Sequence, residues 1–403
     1  MKTASDHGSL RVAFDASALK PQYNHHGIQV YTRNLLAALQ RISGQSGIEI
    51  QPYLPSLEGS AIAKFAEEPG FHPRKSSLSQ FDRLWRYGGA TAAAFLDGAD
   101  ILLNPHGVSL PISTLLPTIT VIHDLTPMVR PYFHRRTAFF LRFLLARSAK
   151  SSAAIITVSE NSRQDIIQIC GVPESKVHVV YEGYDRELFN SVPPEPVLLE
   201  QLLARLEISR PYILHHGAIQ PRKNLPRLIA AYRRLLASNP RLDCDLVLAG
   251  PLSWQHEETL NAARDDNAGK GKVVLTGALN DCDLSLLVRG AALEVIPSLY
   301  EGFCLPMVEA MASGVPTIAS NTSCLSEISG GILRYFNPDS VDDMALCMET
   351  VLLSRDQQAE LAQRGRERAQ KFSWELCAEE TLAVVDQVVH RDEVRSRAAG
   401  VAL

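Results

Sequence analysis

The sequence predicts an α/β chain of two doubly wound domains facing across a cleft. Three observations carry that prediction. Short β-rich runs alternate with helical patterns along the whole chain. Most of those runs are continuously apolar, which suits strands buried on both faces of a parallel sheet. The length, 403 residues, exceeds one small domain and suits two of roughly 100–200 residues each.

The elements follow in order. In the first half, strands are read at 10–16, 47–54, 100–104, 118–123, 153–158 and 177–181. In the second half they are read at 212–217, 245–250, 272–276, 293–297, 315–319 and 332–336. Gly, Pro, Asn or Asp bounds most of them. Helical patterns fall at 28–41, 137–150, 160–170, 224–237, 283–290, 306–313 and 340–353. The boundary lies near 187–210, where FNSVPPEPVLLEQLLARLEISRP opens Pro-rich and then carries a short helix. A Rossmann-like N-terminal domain is thus expected over 1–190 and a second over 205–371. FSWELCAEETLAVVDQVVHRDEV reads as one amphipathic helix, about 372–392, capped by Ser373 and packing back on the first domain. The tail, RSRAAGVAL, reads as frayed.

Composition excludes several classes. The net charge of −4 gives no general reason to expect nucleic acid as a partner. Seven cysteines, an odd count with no C-x-x-C, argue against a disulfide framework or structural zinc. A reducing, cytoplasmic setting is expected. The N-terminus, MKTASDHGSL, lacks the apolar core of a signal peptide. No apolar run reaches the ~18 residues that span a bilayer. Asn321-Thr322-Ser323 fits the glycosylation pattern, which has no meaning without secretion. The chain has no G-x-G-x-x-G after its first strand, no P-loop, no G-x-S-x-G and no H-E-x-x-H.

In open α/β sheets, ligands bind beyond the C-terminal strand ends. Four such loops carry chemistry-bearing residues. In SLYEGFCLPMVEAMASGVPTIAS, Glu301 follows a strand and Glu309 lies about one turn into a helix that Pro306 opens. That helix start offers unpaired N–H groups suited to a diphosphate, and Glu309 can accept hydrogen bonds from sugar or ribose hydroxyls. The other reading has both acids merely favouring the helix start, worth ~0.3–1 kcal/mol each. In HHGAIQPRKNLPRLIAAYRRL, Gly217 ends a strand and Arg222 and Lys223 precede a helix. Two cations there oppose the helix dipole, and an anionic ligand would resolve the conflict; two solvated loop cations are the alternative. In TVIHDLTP, His123 and Asp124 end a strand, where a histidine can bond a hydroxyl, move a proton or simply satisfy neighbouring backbone. In NHHGIQVYTRNLLAAL, Gly27 opens the first helix, leaving room for a ligand or serving an ordinary turn.

Together these loops resemble the retaining, metal-independent glycosyltransferases of family 4, which share the GT-B fold. The resemblance spans nearly the whole chain. Its most specific part is Glu301-Gly302-Phe303-Cys304-Leu305-Pro-Met-Val-Glu309 followed by AMASGVPTIAS, similar to the family's paired-glutamate motif. GAIQPRKN is similar to the phosphate-binding loop, and HDLTP, TVSENSRQDI and FSWELCAEETL fall in the family order.

The resemblance implies that Glu309 binds the nucleotide ribose and Glu301 the donor sugar. It implies that Arg222 and Lys223 neutralise the leaving diphosphate, near Gly27, and that His123 lies by the donor sugar. Catalysis thus falls to Glu301, His123, Arg222 and Lys223. Substrate contacts add Gly27, Asp124, Gly217, Gly302, Phe303, Cys304, Leu305 and Glu309. No metal ligand and no cofactor are implied. Two departures stand out. Ala218 occupies a position where many members carry Arg, and Cys304 replaces a usual glycine, which narrows the pocket or alters the turn. Cys304 is not read as a nucleophile.

PRKN resembles the loop of bacterial mannosyl- and rhamnosyltransferases of surface polysaccharides and lipopolysaccharide. GDP-mannose is the expected donor, with UDP-sugars open, and a glycan or lipid-linked glycan the acceptor. The helix within YFHRRTAFFLRFLLARSAK, 132–150, mixes Arg with Phe and Leu. Because it is apolar nearly all round, it is expected to lie buried in the first domain, with peripheral contact to an anionic inner-membrane face as the other reading. A non-catalytic sugar-nucleotide or glycan-binding subunit, or a hydrolase or phosphorylase of the same architecture, remains as the alternative function.

Overall fold

The computed structural model describes residues 9–19, 26–44, 47–54, 74–75, 85–107, 115–129, 135–264 and 271–400. Two compact units emerge. One comprises the chain up to Gly183 with the segment from Ser373 on; the other is Tyr184–Phe372.

The first unit carries β1 (Leu10–Asp15), β2 (Ile48–Leu54), β3 (Arg74–Lys75), β4 (Ile101–Asn104), β5 (Thr118–Val121), β6 (Ala154–Thr157) and β7 (Val177–Val179). They form one parallel sheet in the order β3-β2-β1-β4-β5-β6-β7. The strand order reverses between β1 and β4, so the crevice beyond their C-terminal ends is the expected ligand position. β4, β5 and β6 are buried along their whole length, as continuous apolar runs require. One core cluster joins Ile122, Leu125, Leu145, Ile155 and Ile166.

The second unit repeats the plan. β8 (Tyr212–His216), β9 (Asp245–Ala249), β10 (Val273–Gly277), β11 (Leu293–Ile296), β12 (Thr317–Ser320) and β13 (Arg334–Phe336) are parallel, in the order β10-β9-β8-β11-β12-β13. The switch point falls between β8 and β11. Edge strand β10 is only half-buried, whereas β8, β9, β11 and β12 are buried throughout.

Helix ends follow local chemistry. Ser159 caps the helix Glu160–Cys170 through the Ser162 N–H, and Gly171, at φ +63°, closes it. Ser340 and Ser373 cap the helices Val341–Leu352 and Trp374–Gly400 the same way. The last of these joins the first unit. Its Trp374 meets Tyr31 edge-on at 5.7 Å, and Glu375 pairs with Arg41 at 2.8 Å. Gly183 packs its backbone against Ser373 and Trp374 so closely that a Cβ would lie 2.2 Å from the Trp374 nitrogen.

Several features differ from the sequence expectation, among them the helices Ala90–Leu96, Glu257–Arg264 and Leu325–Ser329, which it does not include. Strand β3 has two residues, too few to show a period. The helix Arg355–Ala369 went unread because it is mostly charged or polar; only Leu361, Gly365 and Ala369 are buried, one residue per turn. The C-terminal helix continues to Gly400 instead of fraying near 392, in keeping with its Arg- and Ala-containing end. The helix Arg135–Ser151 is not buried all round. Leu144, Leu145, Ser148 and Ala149 are buried, but Phe139 and Phe143 are 75% and 58% exposed. Apolar composition alone could not tell one buried stripe from full burial. Residues 132–134 of that segment lie outside the described residues.

Candidate functional site

In the second unit the chemistry gathers where β8 and β11 end. Gly217 leaves β8 at φ +134°, a conformation that favours glycine, and a Cβ there would stand 3.5 Å from the Lys223 ammonium. The chain then makes a short turn, Pro221–Lys223, and Asn224 takes φ +58° at the start of the helix Leu225–Ser238. The Asn224 side-chain amide donates to the carbonyls of Pro297, at 3.2 Å, and Pro338, at 2.8 Å. The Leu299 N–H donates to the Arg222 carbonyl at 2.8 Å. These bonds clamp the cationic loop to the loops after β11 and β13.

The clamp brings Arg222 and Lys223 onto Glu301. Lys223 Nζ lies 2.7 Å from Glu301 Oε1, and Arg222 Nη1 bonds Oε2. Ser298 Oγ donates to Oε1 at 2.7 Å, and Arg222 also donates to the Tyr300 carbonyl at 3.2 Å. Glu301 and Lys223 are each 4% exposed. Burial pushes the Glu301 carboxyl up, but Arg222 and Lys223 overcome it and hold the group down at about 2. Two cations on one carboxylate leave the cluster net positive, and Arg222 keeps partial access to solvent. A further anion would complete the balance.

Gly302, Phe303, Cys304 and Leu305 form the buried turn into the helix Leu305–Ala312. Phe303 packs edge-on against Phe372 at 5.4 Å. Cys304 adopts φ +80°, the left-handed geometry of a glycine, so the turn survives the substitution at a cost of about 1–2 kcal/mol. Burial pushes its thiol up to about 12, which makes it a poor nucleophile. The helix supplies fewer donors than expected. Pro306 has no N–H, and the Met307 N–H already bonds the Cys304 carbonyl at 3.1 Å.

Glu309 meets a partner that sequence reasoning missed. Its Oε2 lies 3.0 Å from His216 Nε2, and His216 Nδ1 lies 3.1 Å from Glu294 Oε1. Burial opposes protonation of His216, but Glu294 and then Glu309 raise the imidazole to about 9. The signal was present: Glu294 is an acid inside the apolar strand LEVI, and His216 ends β8.

The first unit carries the other candidates. His123 follows β5, its Nε2 2.9 Å from the Pro105 carbonyl and its Nδ1 3.2 Å from Glu182. Both partners accept, so both nitrogens carry protons. Burial lowers its pKa, but the Glu182 carboxylate more than offsets this and raises it. Its nitrogens are therefore engaged by protein groups and offer no free base. Asp124 accepts from the Thr126 N–H at 2.8 Å, a local turn contact. Gly27 sits in the first turn of the helix His26–Ser43, and no described residue lies within 4 Å of where its Cβ would stand. A further polar cluster went unread: Asp15, at the end of β1, accepts from Trp85 at 3.1 Å and lies 3.1 Å from His106. Burial opposes ionisation of Asp15, yet His106 keeps its pKa low.

Among the described residues, no group of three or more His, Cys, Asp or Glu side chains is placed to hold a metal ion. No described helix is long and apolar enough to cross a membrane.

Comparison with known proteins matches both units. Residues 204–368 fit the family model "Glycosyl transferases group 1", and residues 25–188 fit "Glycosyltransferase Family 4". The chain is 29% identical over 347 residues to O-antigen chain mannosyltransferase B of Escherichia coli, covering 85% of this chain and 89% of that protein. It is 30% identical over 275 residues to the serotype-specific mannosyltransferase WbdA of Escherichia coli, covering 67% of this chain but only 34% of that longer protein. Among solved structures, Anabaena HepE in complex with UDP and glucose superposes with a TM-score of 0.71 at 17% identity, covering 94% and 100% of the two chains.

Proposed function

We propose, for a chain that belongs to the family 4 glycosyltransferases of GT-B fold, that it moves a hexose from a nucleotide sugar to a glycan or lipid-linked glycan with retention of configuration. The observation that carries this reading is the pairing of Arg222 and Lys223 over buried Glu301 at the strand ends. A donor diphosphate is the anion that a net-positive cluster of this kind would take. As the C1–O bond breaks, charge grows on the leaving β-phosphate, and preorganised cations stabilise it more than they stabilise the ground state. In this reading Arg222 and Lys223 do the work that a metal does elsewhere. Glu301 holds both cations in place and faces the donor sugar, and Glu309 takes the ribose. The acceptor attacks from the face that the diphosphate leaves. His123, with both nitrogens engaged, contributes fixed positive charge rather than proton transfer.

GDP-mannose is the proposed donor. The two Escherichia coli relatives carry the name mannosyltransferase, which supports the sugar. The base rests on the likeness of the PRKN loop alone. A thermal-shift screen of GDP- and UDP-sugars tests the reading, because a ligand at ~100 times its Kd adds about 2.7 kcal/mol. Stabilisation by GDP-mannose followed by transfer to a mannan-type acceptor is the expected result. Binding without turnover would favour a non-catalytic subunit, and donor cleavage by water or phosphate a hydrolase or phosphorylase.

A cytoplasmic location at the inner membrane face is part of the proposal. On the helix Arg135–Ser151, exposed Phe139 and Phe143 share a face with exposed Arg147, and Arg142 flanks them. Aromatics beside arginines suit an anionic lipid surface. Co-sedimentation with phosphatidylglycerol vesicles, but not phosphatidylcholine vesicles, and its loss in Phe139→Ala/Phe143→Ala are expected; equal behaviour of both vesicle types would remove the membrane contact.

A further inference from the structure

We propose that His216, anchored by Glu294, is the positioning residue that sets Glu309 to read the ribose of the donor nucleotide. The inference rests on the donor-site reading above and adds two residues to it.

The anchor comes first. Glu294 sits fully buried on β11, and its Oε1 accepts from the His216 backbone N–H at 3.2 Å and meets Nδ1 at 3.1 Å. Backbone and ring of His216 are thus tied to one oxygen, which fixes the plane of the imidazole. A buried carboxylate on a central strand is costly unless it is paired. Here the pairing is spent on one histidine at a strand end.

The second ring nitrogen then donates to Glu309 Oε2 at 3.0 Å. Because both ring nitrogens face carboxylates, both carry protons and the ring is a cation. The raised imidazole pKa agrees with that geometry. Glu309 Oε1, by contrast, accepts no hydrogen bond from any described residue. The Glu309 side chain is 14% exposed, and with Oε2 held by His216 the other oxygen is left open. A tethered carboxylate with one open oxygen suits a hydroxyl donor, and the ribose carries two adjacent ones. The relay runs from the sheet interior to a partly exposed acceptor.

The test uses the full chain and compares GDP and UDP with their 2′,3′-dideoxy forms by calorimetry. Wild type is expected to prefer the ribonucleotide by about 10-fold or more, the scale of one charged hydrogen bond. In Glu309→Gln that preference falls towards unity. His216→Gln and Glu294→Gln should lose most of it too, while affinity for the dideoxy form changes little. If both variants keep the wild-type ratio while Glu309→Gln loses it, the donor-site reading stands and the role of His216 is overturned. If ribo and dideoxy affinities fall together at constant ratio, His216 acts on folding alone and the proposal is again overturned. Should His216→Gln fail to fold, Glu294→Gln decides by the same ratio. An unchanged preference in Glu309→Gln, or no nucleotide binding in wild type, would overturn the ribose reading and this inference with it.

Discussion

Replacing Glu301 with glutamine removes the carboxylate that pairs with both Arg222 and Lys223. Its pKa stands at about 2 against an ordinary 4.5. That drop, at about 1.36 kcal/mol per pH unit, is worth about 3 kcal/mol of stability to the second unit. Breaking a buried pair and stranding the cation costs a similar ~3–5 kcal/mol. The folded value is the depressed one, so the stabilisation is full above the unfolded pKa and is lost as pH falls through the folded pKa. At roughly pH 3 less than half remains. Equilibrium unfolding in urea, read by hydrogen exchange of β8 and β11 peptides, follows the second unit by itself. Wild type should exceed Glu301→Gln by about 3 kcal/mol at pH 7, and the gap should close towards pH 2. A gap of the same size at pH 7 and pH 3 would refute the claim that an ionised Glu301 holds the cations.

Three further outcomes are expected. Glu309→Ala should weaken the intact donor and the bare nucleoside diphosphate alike, by ~1.5–3 kcal/mol, since both carry ribose; calorimetry that finds only one affected would separate Glu309 from the ribose. Excess EDTA should leave transfer unchanged, and a loss restored by Mg²⁺ or Mn²⁺ would show that a metal, not the Arg222–Lys223 pair, carries the leaving-group charge. Glu182→Gln should bring the raised His123 pKa down, measured by NMR titration; because the folded value is the raised one, the stability from this pair is present below pH ~6.5 and lost as pH rises through the folded value. An unmoved midpoint would take Glu182 out of the account.

The sheets were legible because buried parallel strands write themselves as continuous apolar runs. β4, β5, β9 and β12 come close to such runs, bounded by turn residues, and β11 is interrupted only by Glu294. What escaped lacks a period or hides it: two-residue β3, and a helix whose buried stripe is a single residue per turn among charges. The cationic loop and the paired glutamates were visible from their place after strand ends. Their mutual contact was not, since Lys223 and Glu301 meet only when two distant loops are clamped by Asn224. The same holds for His216, whose carboxylate partners lie 78 and 93 residues away. A lone acid in an apolar strand marks a site in advance, but nothing local says which side chain it will hold. Helix Arg135–Ser151 shows the converse. Its composition suggested burial, and only the packed structure separates Leu144 and Leu145 from Phe139 and Phe143.

The central claim is that Arg222 and Lys223 neutralise a leaving diphosphate. The initial rate of sugar transfer, measured for wild type and Lys223→Ala with the sugar nucleotide that most raises the melting temperature, tests it most directly. Lys223→Ala should run ~10²-fold slower or worse, the scale of one lost transition-state charge contact. Arg222→Ala should be comparable, because Ala218 cannot share its task. Wild-type rates in both folded variants would contradict the account.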